Sequence, residues 1–190
     1  MRLLLGSYLD CPPSRVPIVY GAAGKPMLPA AANPLGLQFN AAHAHGLALF
    51  GVTQERALGV DLEWVQPLAD AATIAQHFFT PQEAATLQAL APSHRVEAFL
   101  RCWTRKEAYL KACGAGLRRP LNEIEVTCDL VAPARVRARE GAALAETMEW
   151  ALHDLRPGAD YIGALVVEAG HGPLTCWQGY PQGYPQLVFG

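Results

Sequence analysis

The clearest alternation of apolar and polar positions lies in ALGVDLEWV, residues 57–65, where Val60, Leu62 and Trp64 fall on one face of a strand and Asp61 and Glu63 on the other. Just before it, LGLQFNAAHAHGLALFGV predicts two strands turning near His45 and Gly46, followed by the polar turn TQER. The opening MRLLLGSYLD predicts a first strand, and residues 11–36, rich in Pro, Gly and Ala, carry no period and read as loop. After Pro67 the period becomes helical. Thr80 as N-cap, Pro81 at the first helical position and Glu83 at the third form a capping box for one short helix. The stretch 91–116, APSHRVEAFLRCWTRKEAYLKACGAG, predicts about 19 helical residues capped by Ser93 and stopped at Gly114 and Gly116. Beyond Pro120, IEVTCDLV, ARVRARE, MEWALHDL and YIGALVVEA read as short strands, with turns near residues 140 and 157.

One polar residue interrupts the long helix. Its apolar stripe runs Val96, Phe99, Leu100, Trp103, Leu110, and Glu107 lies within about 40° of Val96, Leu100 and Trp103 around the axis. A carboxylate on a buried face costs several kcal/mol unless it is paired, protonated or bound to a cation. Two readings are open. Glu107 sits at the stripe's edge and pairs with Lys111 one turn on, worth about 0.3 kcal/mol; or it faces Asp61 and Glu63, and the three carboxylates share a divalent metal. Magnesium suits the second reading, because it takes hard oxygen ligands and is commonly held by a few carboxylates plus substrate phosphates. Without a metal such a cluster repels itself or takes up protons. Lys111, on the same helix face, could then reach a phosphate, which implies phosphate-ester chemistry on a diphosphate-bearing substrate.

Composition narrows the partners. A chain of 190 residues with 51% hydrophobic content buries a core as one domain or as two small halves. A net charge of −2 argues against nonspecific nucleic-acid or membrane-surface binding, so a polyanionic ligand must be gripped locally. The five cysteines are scattered and form no C-x-x-C pair, which argues against a disulfide framework or a cysteine zinc site. The first apolar run is too brief for a signal peptide or a membrane span, and a cytoplasmic protein is expected. His43 and His45, at i and i+2, could make a zinc pair with Asp61, or else be structural histidines. The tandem QGYPQGYPQ at 178–186 reads either as a partner-docking segment through Trp177, Tyr180 and Tyr184 or as a loosely ordered or surface-packed tail, the second being favoured.

Together GVDLE at 59–63, FFTPQE at 78–83 and W-T-R-K-E-A-Y-L-K at 103–111 resemble the signature blocks of the 4′-phosphopantetheinyl transferase superfamily. GKP at 24–26 and FNAAH at 39–43 resemble two further blocks of its longer, surfactin-synthetase-activating branch. The resemblance implies transfer of the phosphopantetheine arm of coenzyme A to a serine of an acyl or peptidyl carrier protein. It implies an α+β fold of two similar halves, with the long helix packed on an antiparallel sheet. Residues 1–66 would be a reduced amino-terminal half, 67–168 the carboxy-terminal half, and 169–190 a Gly- and Pro-rich tail. Carried over, Asp61, Glu63 and Glu107 would ligate Mg²⁺, and Glu107 or a metal-bound water would deprotonate the carrier serine. Lys111 would steady the phosphates, and Lys25 and His43 would hold coenzyme A phosphates.

Departures from the family pattern weaken the expected grip on the nucleotide. Ala42 and Ala44 flank His43 where serines are usual, and residues 11–23 hold only Arg15 where a basic helix is usual. A degenerate paralogue that binds a carrier protein without efficient transfer is therefore the alternative, and an unrelated metal-dependent hydrolase a more distant one.

Overall fold

The structure is a computed structural model that describes residues 1–114, 119–138, 149–169 and 173–179. Its centre is an antiparallel sheet of β5 (Leu58–Trp64), β9 (Tyr161–Glu168) and β8 (Trp150–Leu155), in that order. Register places Asp61 opposite Ala164 and Glu63 opposite Ile162, so these residues share a face. Val60 and Leu62, with Leu58, share the other face with Leu165 and Val167.

Each face is covered. The apolar face packs on the hairpin of β3 (Leu37–Ala44) and β4 (Leu47–Gln54), through Ala42, Leu47 and Leu49. Asn40 Oδ1 accepts the Val60 amide at 3.0 Å and ties the hairpin to β5. The acidic face of β5, which simple alternation would assign to solvent, is covered instead by α4 (Pro92–Cys113). Here the glycine of GVDLE has its reason: a Cβ on Gly59 would stand 2.1 Å from the Ala108 carbonyl oxygen and 2.3 Å from the Ala112 nitrogen, so only glycine lets strand and helix approach this closely. The helices α2 (Ala71–Phe78) and α3 (Pro81–Ala89) flank α4, and β6 (Ile124–Val126) with β7 (Val136–Ala138) closes its far side. The fold is α+β, with the long helix on an antiparallel sheet.

Local rules held where side chains satisfy the backbone. At α3, Thr80 Oγ1 accepts the Glu83 amide and Glu83 Oε2 accepts the Thr80 amide, the capping box expected there. His45 and Gly46 have φ of 41° and 83°, the left-handed pair that a two-residue hairpin turn demands.

Three expectations are corrected. The opening segment is a helix, α1 (Arg2–Tyr8), because a short apolar run does not distinguish a buried strand from a buried helix. Its Leu5 is fully buried with Val16, Leu28, Leu37 and Phe39 on the outer face of β3. The 11–36 segment is not wholly irregular: it contains two 3₁₀ turns and a small ladder of β1 (Val19–Tyr20) with β2 (Pro26–Met27). Finally, the N-cap of α4 lies two residues before the expected Ser93, at Ala91 with Pro92 as first helical residue, because proline's fixed φ already suits that position. The expected stop at Gly116, the turn at 140 and most of the QGYPQGYPQ repeat lie outside the described residues.

Candidate active site

Three consecutive side chains fix how α4 sits. Successive residues point about 100° apart around a helix, so 105, 106 and 107 address three different neighbours. Arg105, wholly buried, grips Asp154 on β8 with two nitrogens, Nε to Oδ1 at 2.9 Å and Nη2 to Oδ2 at 2.6 Å, and its Nη1 donates to the Thr127 carbonyl. Lys106, also wholly buried, donates to Glu83 Oε2 at 2.6 Å, the Leu121 carbonyl at 2.9 Å and the Ile124 carbonyl at 2.5 Å. Glu83 in turn accepts the Thr80 amide at 2.7 Å and the Val126 amide at 2.8 Å. Every donor of Lys106 and both oxygens of Glu83 are thus engaged, the condition under which a buried pair is tolerated.

Glu107, the third of the series, is turned toward β5. It lies half-buried on a stripe with Trp103 and Lys111, and Thr104, Arg105 and Lys106 are the buried polar neighbours instead. The apolar stripe inferred from sequence is therefore incomplete: Phe99, Leu100 and Leu110 are buried, whereas Val96 and Trp103 are only partly so.

Lys111 does not pair with Glu107 along the helix. It bridges to β5, with Nζ 2.6 Å from Asp61 Oδ1. The second oxygen, Asp61 Oδ2, is buried and has no hydrogen-bond partner. Burial raises the Asp61 carboxyl above the usual range, and the Lys111 ammonium opposes that rise. Glu63 is raised by burial and by the Asp61 and Glu107 charges, opposed by Lys111 and by a hydrogen bond from Trp103. Glu107 is raised by burial and then by Asp61, opposed by Lys111. Three mutually repelling carboxylates with one lysine among them, and an unpartnered buried oxygen, have the donor chemistry that suits a small hard cation, and since their oxygens do not all lie within 4.8 Å of one another the side chains would have to draw in to share one.

Among known proteins, the sequence pattern of the 4′-phosphopantetheinyl transferase superfamily matches residues 57–166, which span β5 to β9 and every residue of this cluster. The chain belongs to that superfamily. The 4′-phosphopantetheinyl transferase HetI of Nostoc is 36% identical over 178 residues, covering 94% of this chain and 69% of the relative. A Synechocystis protein described as a putative 4′-phosphopantetheinyl transferase is 38% identical over 124 residues, 65% of this chain and 50% of its own length. Among solved structures, holo-[acyl-carrier-protein] synthase of Thermotoga maritima matches with a TM-score of 0.46 at 17% identity, over 60% of this chain and 64% of that one.

Within this phosphopantetheinyl transferase superfamily member, the motif blocks divide by task. GVDLE supplies Asp61 and Glu63, and the helix block supplies Glu107 and Lys111. The FFTPQE block contributes no group to the cluster; its Glu83 holds Lys106 from behind. Sequence reasoning assigned Glu83 to capping alone and gave Arg105 and Lys106 no role. Two adjacent cations opposite an acidic cap residue were the available signal, but their burial is decided by packing.

The remaining expected residues lie elsewhere. His43 is exposed near the end of β3 and belongs to no group of three candidate metal ligands among the described residues. His45 is not on the strand at all; it forms the turn and stacks on Trp64 with ring centroids 3.8 Å apart, so no zinc pair with His43 and Asp61 is formed. Lys25 was expected to hold a phosphate of coenzyme A. Its Nζ instead donates to three carbonyls, of Leu58 at 2.9 Å, Lys111 at 2.7 Å and Ala112 at 3.2 Å.

Proposed function

We propose that the chain transfers the 4′-phosphopantetheine arm of coenzyme A to a serine of an acyl or peptidyl carrier protein, with Mg²⁺ held by Asp61, Glu63 and Glu107. The observation that carries this reading is the buried, unpartnered Asp61 Oδ2 within a cluster of carboxylates on two facing elements. Mg²⁺, when bound, neutralises charge on the coenzyme A diphosphate. Glu107, poised as a base by its raised carboxyl, takes the serine proton as the serine oxygen bonds to the phosphorus that bears the pantetheine arm, and Lys111 steadies the phosphate oxygens as the diphosphate P–O bond breaks and adenosine 3′,5′-bisphosphate leaves. His43, exposed near the end of β3, would contact an anionic part of the nucleotide in this reading. The free thiols Cys11, Cys102, Cys113, Cys128 and Cys176 suit a reducing compartment such as the cytoplasm. No helix among the described residues is long and apolar enough to cross a membrane.

The deciding experiment incubates the full chain with coenzyme A, Mg²⁺ and a panel of apo carrier proteins, read by mass spectrometry. Gain of one phosphopantetheine mass on a carrier is expected. No gain on any carrier, with no Mg²⁺-dependent binding of coenzyme A, would favour the degenerate paralogue. That reading has its own support in Ala42 and Ala44 and in the engagement of Lys25 with backbone carbonyls.

The cluster also sets a pH dependence. A carboxyl whose folded value is raised binds its proton more tightly folded than unfolded, so its contribution to stability is present at low pH and lost as pH rises through the folded value. The metal-free protein therefore carries this penalty at neutral pH, where Mg²⁺ would relieve it. Added Mg²⁺ should raise the melting temperature more at about pH 7.5 than at about pH 5, where protons compete for the same oxygens. Equal shifts at both pH values, or none, would argue against metal at these carboxylates.

A further inference from the structure

The elements that carry the cluster are held together at one end by a single ammonium. Lys25 comes from the loop before β2, and its three donors reach the first residue of β5, Leu58, and two carbonyls in the last turn of α4, Lys111 and Ala112. The last four carbonyls of a helix have no intrahelical partner and carry partial negative charge, so a cation there is favoured twice over. The same helix end is closed by Gly114 in the left-handed conformation, its amide on the Lys111 carbonyl at 3.3 Å. Burial lowers the Lys25 ammonium below its ordinary value, consistent with an ion enclosed by backbone rather than offered to solvent.

Lys111 is the common element. Its carbonyl is gripped by Lys25 at 2.7 Å while its own Nζ lies 2.6 Å from Asp61. Near these contacts, Gly59 brings β5 against Ala108 and Ala112 with no room for a side chain. Axial sliding or fraying of the α4 end would move Lys111 away from Asp61 and shift Glu107 relative to Glu63. We propose that Lys25 is a positioning residue for transfer, a clamp that locks the end of α4 to the start of β5 and so aims Lys111 at the reacting phosphate, rather than a ligand of the nucleotide. The proposal rests on the transfer reaction above for its kinetic consequence, and on the three carbonyl bonds alone for its structural one.

The test compares Lys25→Met and Lys25→Arg in the full chain with Mg²⁺ and a carrier that the wild type modifies, using coenzyme A and 3′-dephospho-coenzyme A. Lys25→Met is expected to lower kcat by about 10-fold or more, since a displacement of about 1 Å can cost 100-fold. KM for coenzyme A should stay within about twofold, and the loss should be the same for both nucleotides. Lys25→Arg should recover part of the rate. In a Lys111→Met background, adding Lys25→Met should lower kcat no further, because one residue acts through the other. A rise in KM for coenzyme A that is absent for the dephospho form would overturn the proposal and make Lys25 a phosphate ligand. Unchanged kcat or fully additive losses would overturn it as well. Hydrogen exchange in Mg²⁺-free protein separates the two claims: amides of 112–114 should exchange faster in Lys25→Met and be restored in Lys25→Arg. Unchanged exchange removes the clamp even if no carrier is modified, whereas an inactive wild type with faster exchange in the variant counts against the transfer reaction and leaves the clamp standing.

Discussion

Glu107→Gln lowers carrier modification by about 100-fold or more, the scale of one electrostatic contribution in a preorganised site, and leaves the melting temperature of the Mg²⁺-free protein unchanged or slightly raised. The second half of that expectation comes from sign. Glu107 is held above the usual carboxyl range by burial and by Asp61, so ionising it in the folded chain is unfavourable and a neutral amide removes a repulsion. A surface glutamate paired along the helix would show the opposite pattern, with activity intact and stability altered by less than about 0.5 kcal/mol. In the structure Lys111 Nζ pairs with Asp61 at 2.6 Å rather than with Glu107. Asp61→Asn should lose activity similarly, but it also deprives Lys111 of its partner and is the less clean variant. The measurement is carrier modification by mass spectrometry alongside thermal melting, with and without Mg²⁺. Unchanged turnover in Glu107→Gln would remove the metal-site reading altogether.

Lys106→Met is expected to have the largest effect on stability. Removing the ammonium, which also lies over the Phe79 ring, leaves Glu83 buried with only two amides and its main counter-charge gone, and removes the donors of the Leu121 and Ile124 carbonyls. Breaking one partner of a buried pair costs about 3–5 kcal/mol. At about 2–4 °C per kcal/mol for a domain of this size, melting falls by about 6–20 °C. Replacing both partners, as Glu83→Leu with Lys106→Met, should recover part of the loss, because no uncompensated charge remains. A fall of less than about 2 °C in the single variant would mean that α4 is held by its apolar contacts and the pair adds little.

Much of this was legible along the chain because the signals are local. The capping box at Thr80 and Glu83, the His45-Gly46 hairpin and the strand at GVDLEW each depend on residues a few positions apart, and each formed, although the acidic face of that strand is covered by α4 rather than by solvent. The candidate cluster was legible for the same reason: two carboxylates at i, i+2 on a strand and a third out of place on a helix are visible without coordinates.

What the sequence could not decide was which surface meets which. An apolar run of five to eight residues is compatible with strand or helix, and only the pocket formed by Val16, Leu28, Leu37 and Phe39 makes α1 a helix under Leu5. Charged residues are read as exposed by default, yet Arg105 and Lys106 are wholly buried because Asp154, Glu83 and three carbonyls, contributed from elements 15 to 49 residues away, meet them there. Lys25 was read as a phosphate ligand by its place in the GKP block, and the contacts that make a positioning role the proposal here are with carbonyls 33 and 86 to 87 residues distant. By itself the sequence determined the long helix, the capping box of α3, the hairpin turn at His45 and Gly46 and the residue types of the cluster, since these follow from backbone geometry and side-chain period. Tertiary structure alone decided the partner of each charge, because the energy of a charge depends on what replaces water around it, and that is set by the packing of distant segments.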